Sequence, residues 1–122
     1  MAGASGFTLE YADGSANHYR VVCSAGSADA EVTYTPVTPR QSSSGVYSGG
    51  APWRARLPAR DARVGALLEQ VTALERDTTL HAETRSKGTG AVTLTTAAGT
   101  RSFLVAPSAA LRALDAALAA LR

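Results

Sequence analysis

The side chains in this chain that could do chemistry are two histidines, one cysteine, a group of serines, and arginines gathered around a tryptophan. A protein metal site needs three or four ligands, and close spacing usually supplies two of them. His18 and His81 lie far apart, and neither has a Cys, Asp or His nearby at ligand spacing. His81 and Glu83 would share a face of a strand, but two groups alone do not make a site. Both histidines read as ordinary strand or surface residues, and no metal or other cofactor is expected. Ser42, Ser43, Ser44 and Ser48 are the candidate nucleophiles. Gly45-Val46-Tyr47-Ser48-Gly49 does not match the strand-to-helix elbow that activates a serine, and no amphipathic helix begins at Ser48. Gly49-Gly50 could offer backbone N–H groups to an anion, yet no Walker or dinucleotide pattern accompanies it. The chain therefore reads as non-catalytic.

The arginine and aromatic cluster is more informative. Trp53, Arg54, Arg56, Arg60 and Arg63 fall close together, with Tyr47 upstream. Arginines with aromatics can stack bases and clamp phosphates. The structural alternative is that Arg60 and Arg63 line the solvated face of a helix while Trp53 packs on a sheet. Positions 37–57 show no periodicity and read as a long Ser, Gly and Pro-rich loop, with room for one irregular edge strand. Loops of this length in compact domains are usually functional or disordered. Aromatic, Ser and Gly residues together are the composition of binding loops, where rigid rings give area and small polar groups adapt. Tyr47, Trp53, Arg54 and Arg56 are the expected binding residues.

Regular elements must position that loop. Phe7, Leu9 and Tyr11 alternate with polar residues, predicting a strand, and Asp13-Gly14 predicts a turn. His18–Cys23 and Glu31–Thr35 predict the second and third strands, ended by Pro36 and Pro39. Val64, Leu67, Leu68, Val71 and Leu74 recur at helical spacing, with Pro58 near the helix start. Gly65 interrupts that run and suggests a close approach to the sheet. The second half then repeats the pattern. Leu80–Thr84, Val92–Leu94 and Ser102–Val105 read as strands around turns at Lys87–Gly90 and Ala98-Gly99. Pro107-Ser108 opens a final helix carrying Leu111, Leu114, Leu118 and Leu121. The expected fold is α+β: an antiparallel sheet of about six strands with two helices on one face. The order is three strands, loop, helix, three strands, helix, with residues 1–6 as a disordered start.

The chain's 122 residues fit one domain, and its 45% hydrophobic content suits a folded core. Aromatics are only 6%, so the core should be aliphatic. Twelve basic against ten acidic residues give a net charge of +2, too small to require nucleic acid or membrane as partner. The single cysteine, Cys23, follows Val21 and Val22 and reads as a buried thiol. No signal peptide is visible and no apolar run approaches a membrane span, so a cytoplasmic setting is expected.

The segment Leu57-Pro58-Ala59-Arg60-Asp61-Ala62 with its helix, and the stretch from Ala91 to Leu121, resemble emfourin-type small bacterial proteins. The shared pattern is a hairpin, a Leu-Pro lead into a leucine-faced helix, then a second hairpin and a Pro-initiated helix. That resemblance implies an α+β inhibitor of thermolysin-like metalloproteases. Tyr11 to Tyr19 lacks the glycine-rich first hairpin of that family, and the serine-rich loop is a further departure. No functional residue carries over. The function expected is binding of another protein, a protease in the specific form, through the 37–57 loop. The alternative is a single-stranded nucleic-acid or anion binder using Trp53 and its arginines.

Overall fold

A computed structural model describes residues 6–37, 50–86 and 88–122. Alternating apolar residues make β1 (Phe7–Ala12), β2 (His18–Cys23) and β3 (Asp29–Thr35), which pair antiparallel in sequence. β4 (Trp53–Pro58) adds to the outer side of β3. Helix α1 (Ala62–Arg76) then crosses back over the sheet, and the hairpin β5 (Gly90–Thr96) and β6 (Gly99–Val105) pairs with the other side of β1. Helix α2 (Ala109–Ala119) closes the fold. The sheet order is β4-β3-β2-β1-β5-β6, antiparallel throughout.

The α+β class, the six-stranded antiparallel sheet and the two helices are as expected, but the strands divide four and two instead of three and three. Residues 53–57 of the expected loop form the edge strand β4 instead, closed by Pro58. The expected strand at Leu80–Thr84 is replaced by a 3₁₀ turn, Thr78–Leu80, and an isolated bridge from His81 to Val105. Asp77 causes this change: its carboxylate accepts from the backbone N–H and the hydroxyl of Thr79, winding the chain before it can extend. Asp61, three residues after Pro58, starts α1 by accepting from the Arg63 N–H at 2.8 Å. Ser108 caps α2 in the same way through the Leu111 N–H.

One face of the sheet is dry. Leu9, Tyr11, Val21, Val32, Val92, Leu94 and Val105 pack in a single core with Leu67 and Val71 of α1 and Leu114, Leu118 and Leu121 beyond them. Both helices therefore cover the same face. Leu68 departs from expectation and is only partly buried, because it faces a groove at the sheet end. Along the dry face one register row runs Trp53, Tyr34, Tyr19, Tyr11, Val92, Phe103. Helix α2 lies across this row: Leu111 sits over Gly90, Asp115 meets Tyr11, and Arg122 beyond its end meets Trp53.

The first turn differs in its detail. The positive φ falls on Ala16 (69°), while the Asp13 carboxylate accepts from the N–H groups of Ser15 and Asn17, each at 2.9 Å. Gly14 is needed for a close approach: a Cβ there would come within 2.6 Å of Gly88 Cα. The disordered start expected at residues 1–6 lies outside the described residues except for Gly6, where a Cβ would come within 2.4 Å of the Ala25 nitrogen.

Candidate functional site

β4 carries the described part of the expected binding surface. Side chains alternate along it, so Trp53, Ala55 and Leu57 turn to the helices while Arg54, Arg56 and Pro58 face solvent. The expected union of Trp53 with Arg54 and Arg56 therefore does not form: the strand's period of two puts ring and guanidiniums on opposite faces. Trp53 instead ends an aromatic row. Its ring centroid lies 5.8 Å from Tyr34 and 6.3 Å from Tyr19, and the Arg122 guanidinium approaches to 6.0 Å. Tyr47 lies outside the described residues, as do the candidate serines.

The backbone of β4 alternates too. The Ala59 N–H donates to the Ala28 carbonyl at 2.8 Å, directly opposite in register. Narrow pairs then recur every second residue, at Leu57, Ala55 and Trp53. The N–H and C=O of Arg54 and Arg56 consequently point away from β3, to a sheet edge on which no described strand pairs. Pro58 ends that edge without an N–H. Sequence reasoning left room for one irregular edge strand here without placing it or its outward backbone groups. The signal was present in the Trp-Arg-Ala-Arg-Leu alternation, hidden by the Ser and Gly that precede it.

The solvent face of the sheet adds charge. Glu10 lies 3.9 Å from His18 and 3.8 Å from Arg20, and Glu31 lies 3.9 Å from Arg56, all well exposed. Arg54 makes no ion pair among the described residues. Toward β6 the same face changes to hydroxyls, with Thr93 bonded to Ser102 at 3.0 Å and Thr95 to Thr100 at 3.1 Å. The cationic character thus gathers toward β4.

A second polar cluster lies where the β1–β2 turn, the 86–89 loop and the start of α2 converge. The buried Tyr11 hydroxyl donates to Asp115 at 2.5 Å, beside a hollow of about 290 Å³ lined by Asp13, Ser15, Ser108 and Arg112. Burial, then the neighbouring carboxylates, push the Tyr11 hydroxyl far above its ordinary range. Burial also raises the Asp115 carboxyl, opposed by the bond from Tyr11. The Tyr11 proton is held and the Asp13 oxygens are occupied within their own turn, so the cluster braces hairpin against helix and supplies no activated nucleophile.

His81 is also placed structurally. Its Nε2 is 2.8 Å from the Leu74 carbonyl at the end of α1, and its ring stacks on Phe103 at 5.0 Å. Among the described residues no three His, Cys, Asp or Glu side chains gather as a metal site would require. Among the described residues no helix is long and apolar enough to cross a membrane. No family model, curated protein or solved structure matches the chain.

Proposed function

We propose that this protein is a non-catalytic binding module that pairs the open edge of β4 with an extended, acidic segment of another protein. The observation that carries this reading is the coincidence at Arg54 and Arg56 of outward backbone groups and solvent-facing guanidiniums. An added strand gains main-chain hydrogen bonds from such an edge, and its side chains meet their neighbours on the sheet face. Carboxylates at alternate positions of that strand would stand beside the two arginines. A second copy of this chain is the poorer occupant, because antiparallel self-pairing would set Arg54 against Arg56 of the other copy.

Protease inhibition is one form of this activity, since protease clefts hold chain in extended conformation. Metalloproteases of the thermolysin type are the first class to try. The free, buried thiol of Cys23 fits a cytoplasmic setting. The alternative, single-stranded nucleic acid, has less support: Trp53, Tyr34, Tyr19 and Tyr11 all lie on the helix-covered side, leaving the arginine face with no Trp, Tyr or Phe ring among the described residues.

Selection from a displayed library of ten-residue peptides tests the proposal. The selected peptides should be acidic at alternate positions, and Arg54→Pro should abolish capture while leaving the melt of the fold nearly unchanged. Peptides without acidic alternation, or capture that survives Arg54→Pro, would refute it. Weakening of more than about a thousandfold by salt between 50 and 200 mM would instead favour the nucleic-acid reading.

A further inference from the structure

The register row that crosses the dry face of the sheet is finished by an extra ring at one end only. At β6 the row ends on Phe103, and His81, bridged to Val105, stacks against it at 5.0 Å. At β4 the row ends on Trp53. Tyr11, Tyr19 and Tyr34 are at most 8% exposed, whereas Trp53 is only partly buried. Each ring meets the next: Tyr11 and Tyr19 lie 6.3 Å apart, Tyr19 and Tyr34 4.7 Å, and Tyr34 and Trp53 5.8 Å. The Arg122 guanidinium approaches Trp53, and among the described residues no strand stands beyond it.

The hydrogen-bond phase of β4 dictates how an added strand would meet that end. Arg54 and Arg56 turn their backbone groups outward, so they would make the hydrogen-bonded pairs with an antiparallel neighbour. Trp53 would then fall at a non-hydrogen-bonded position, where opposed Cα atoms are about 4.5 Å apart and side chains are closest. The residue opposite Trp53 would stand on the same face as its ring. Aromatic pairs so placed are favourable beyond the area they bury.

We infer that the partner strand carries an aromatic residue opposite Trp53, directly after the carboxylate that meets Arg54. This ring completes the row at β4 as His81 completes it at β6. The inference rests on the β4 reading and adds the partner's aromatic position to it. Every strand pair in the sheet is antiparallel. In that direction the partner positions opposite Arg56, Ala55, Arg54 and Trp53 follow one another along its chain. The recognised sequence therefore reads acidic, apolar, acidic, aromatic.

Two ten-residue peptides of identical composition test this. One has Val-Glu-Val-Glu-Phe at its centre and the other Phe-Glu-Val-Glu-Val, both flanked by Ser and Thr. Both set Glu against Arg54 and Arg56, but only the first sets Phe against Trp53. The first should bind about fivefold tighter in a calorimetric titration. Trp53 is the only tryptophan in the chain, so its emission reports the contact, and the first peptide should shift it more than the second. Trp53→Leu should bring the two affinities together without weakening the second peptide. Should that variant fail to fold, the affinity and emission of the unsubstituted protein decide. Equal affinities, or tighter binding of the Phe-first peptide, with capture still lost in Arg54→Pro, would overturn the aromatic position and leave the β4 edge standing. Binding of neither peptide would overturn both.

Discussion

The two edges of the sheet are finished differently. At β6 the chain returns from α1 and covers the strand end: the Ala82 N–H donates to the Leu104 carbonyl at 2.9 Å, and the Ala106 N–H donates to the Leu80 carbonyl at 2.8 Å. His81 stacks on Phe103 at the same place, and Arg101 reaches Glu75 of α1 at 2.5 Å. At β4 no described strand covers Arg54 and Arg56, and arginine side chains flank the open backbone. Unpaired edges invite association, and proteins commonly guard them with charge. The β6 edge is thus capped by the chain itself at its Leu104–Val105 end, whereas among the described residues the β4 edge has no such cap and is flanked by arginines. In the function proposed above, β4 is the edge to which a partner strand would add.

Both edges hang from one core, and its failure should affect them alike. Leu114 is fully buried, so Leu114→Ala should cost about 2–5 kcal/mol in denaturant unfolding, while Arg112→Ala on the exposed side of the same helix should cost little. Equal losses would mean that α2 is rotated from its described register. The covered edge comes next. Ala82→Pro removes a donor to β6 and should cost about 1–3 kcal/mol. The same substitution at the open edge, Arg54→Pro, removes no described bond and should cost less than about 1 kcal/mol. Equal costs at positions 82 and 54 would erase the distinction between the edges.

A smaller effect is expected from pH. Asp115 is raised in the folded state, chiefly by burial, so the fold binds its proton more tightly than the unfolded chain does. Its contribution is present below the ordinary aspartate range and is lost as pH rises through the folded value. Asp61 is lowered to about 2, so its contribution is present above the ordinary value of 3.8 and is lost as pH falls toward about 2. Unfolding titrations of Asp115→Asn and Asp61→Asn should each flatten one limb of the stability profile, the first on the rising side and the second at the acid end. An unaltered profile in both variants would contradict these placements.

The parts of this fold legible in sequence are those where apolar period and burial agree. Leu9 and Tyr11, Val64, Leu67 and Val71, and Leu111, Leu114 and Leu118 all entered the core as their spacing predicts. One strand was misjudged and another was left unplaced, for opposite reasons. Leu80, Ala82 and Thr84 alternate, but the Asp77 carboxylate organises a turn there by local hydrogen bonds that periodicity does not report. Trp53–Pro58 also alternates, yet it follows a long polar stretch and carries exposed arginines, so it reads as a loop with at most an unplaced edge strand. An edge strand is half solvated along its length, and only its pairing with β3 distinguishes it. Of the residues expected to bind, Arg54 and Arg56 share one surface, Trp53 joins the aromatic row on the other side, and Tyr47 lies outside the described residues.

Amide hydrogen exchange resolved by residue, with and without a ten-residue peptide of alternating Glu and Val, tests the open edge most directly. In the free protein the amides of Ala55 and Leu57, which face β3, should be protected while those of Arg54 and Arg56 exchange rapidly. With the peptide bound, Arg54 and Arg56 should become protected, and Thr100 and Ser102 on β6 should stay as they were. Protection of Arg54 and Arg56 before any peptide is added, or their continued rapid exchange at saturating peptide, would contradict the account.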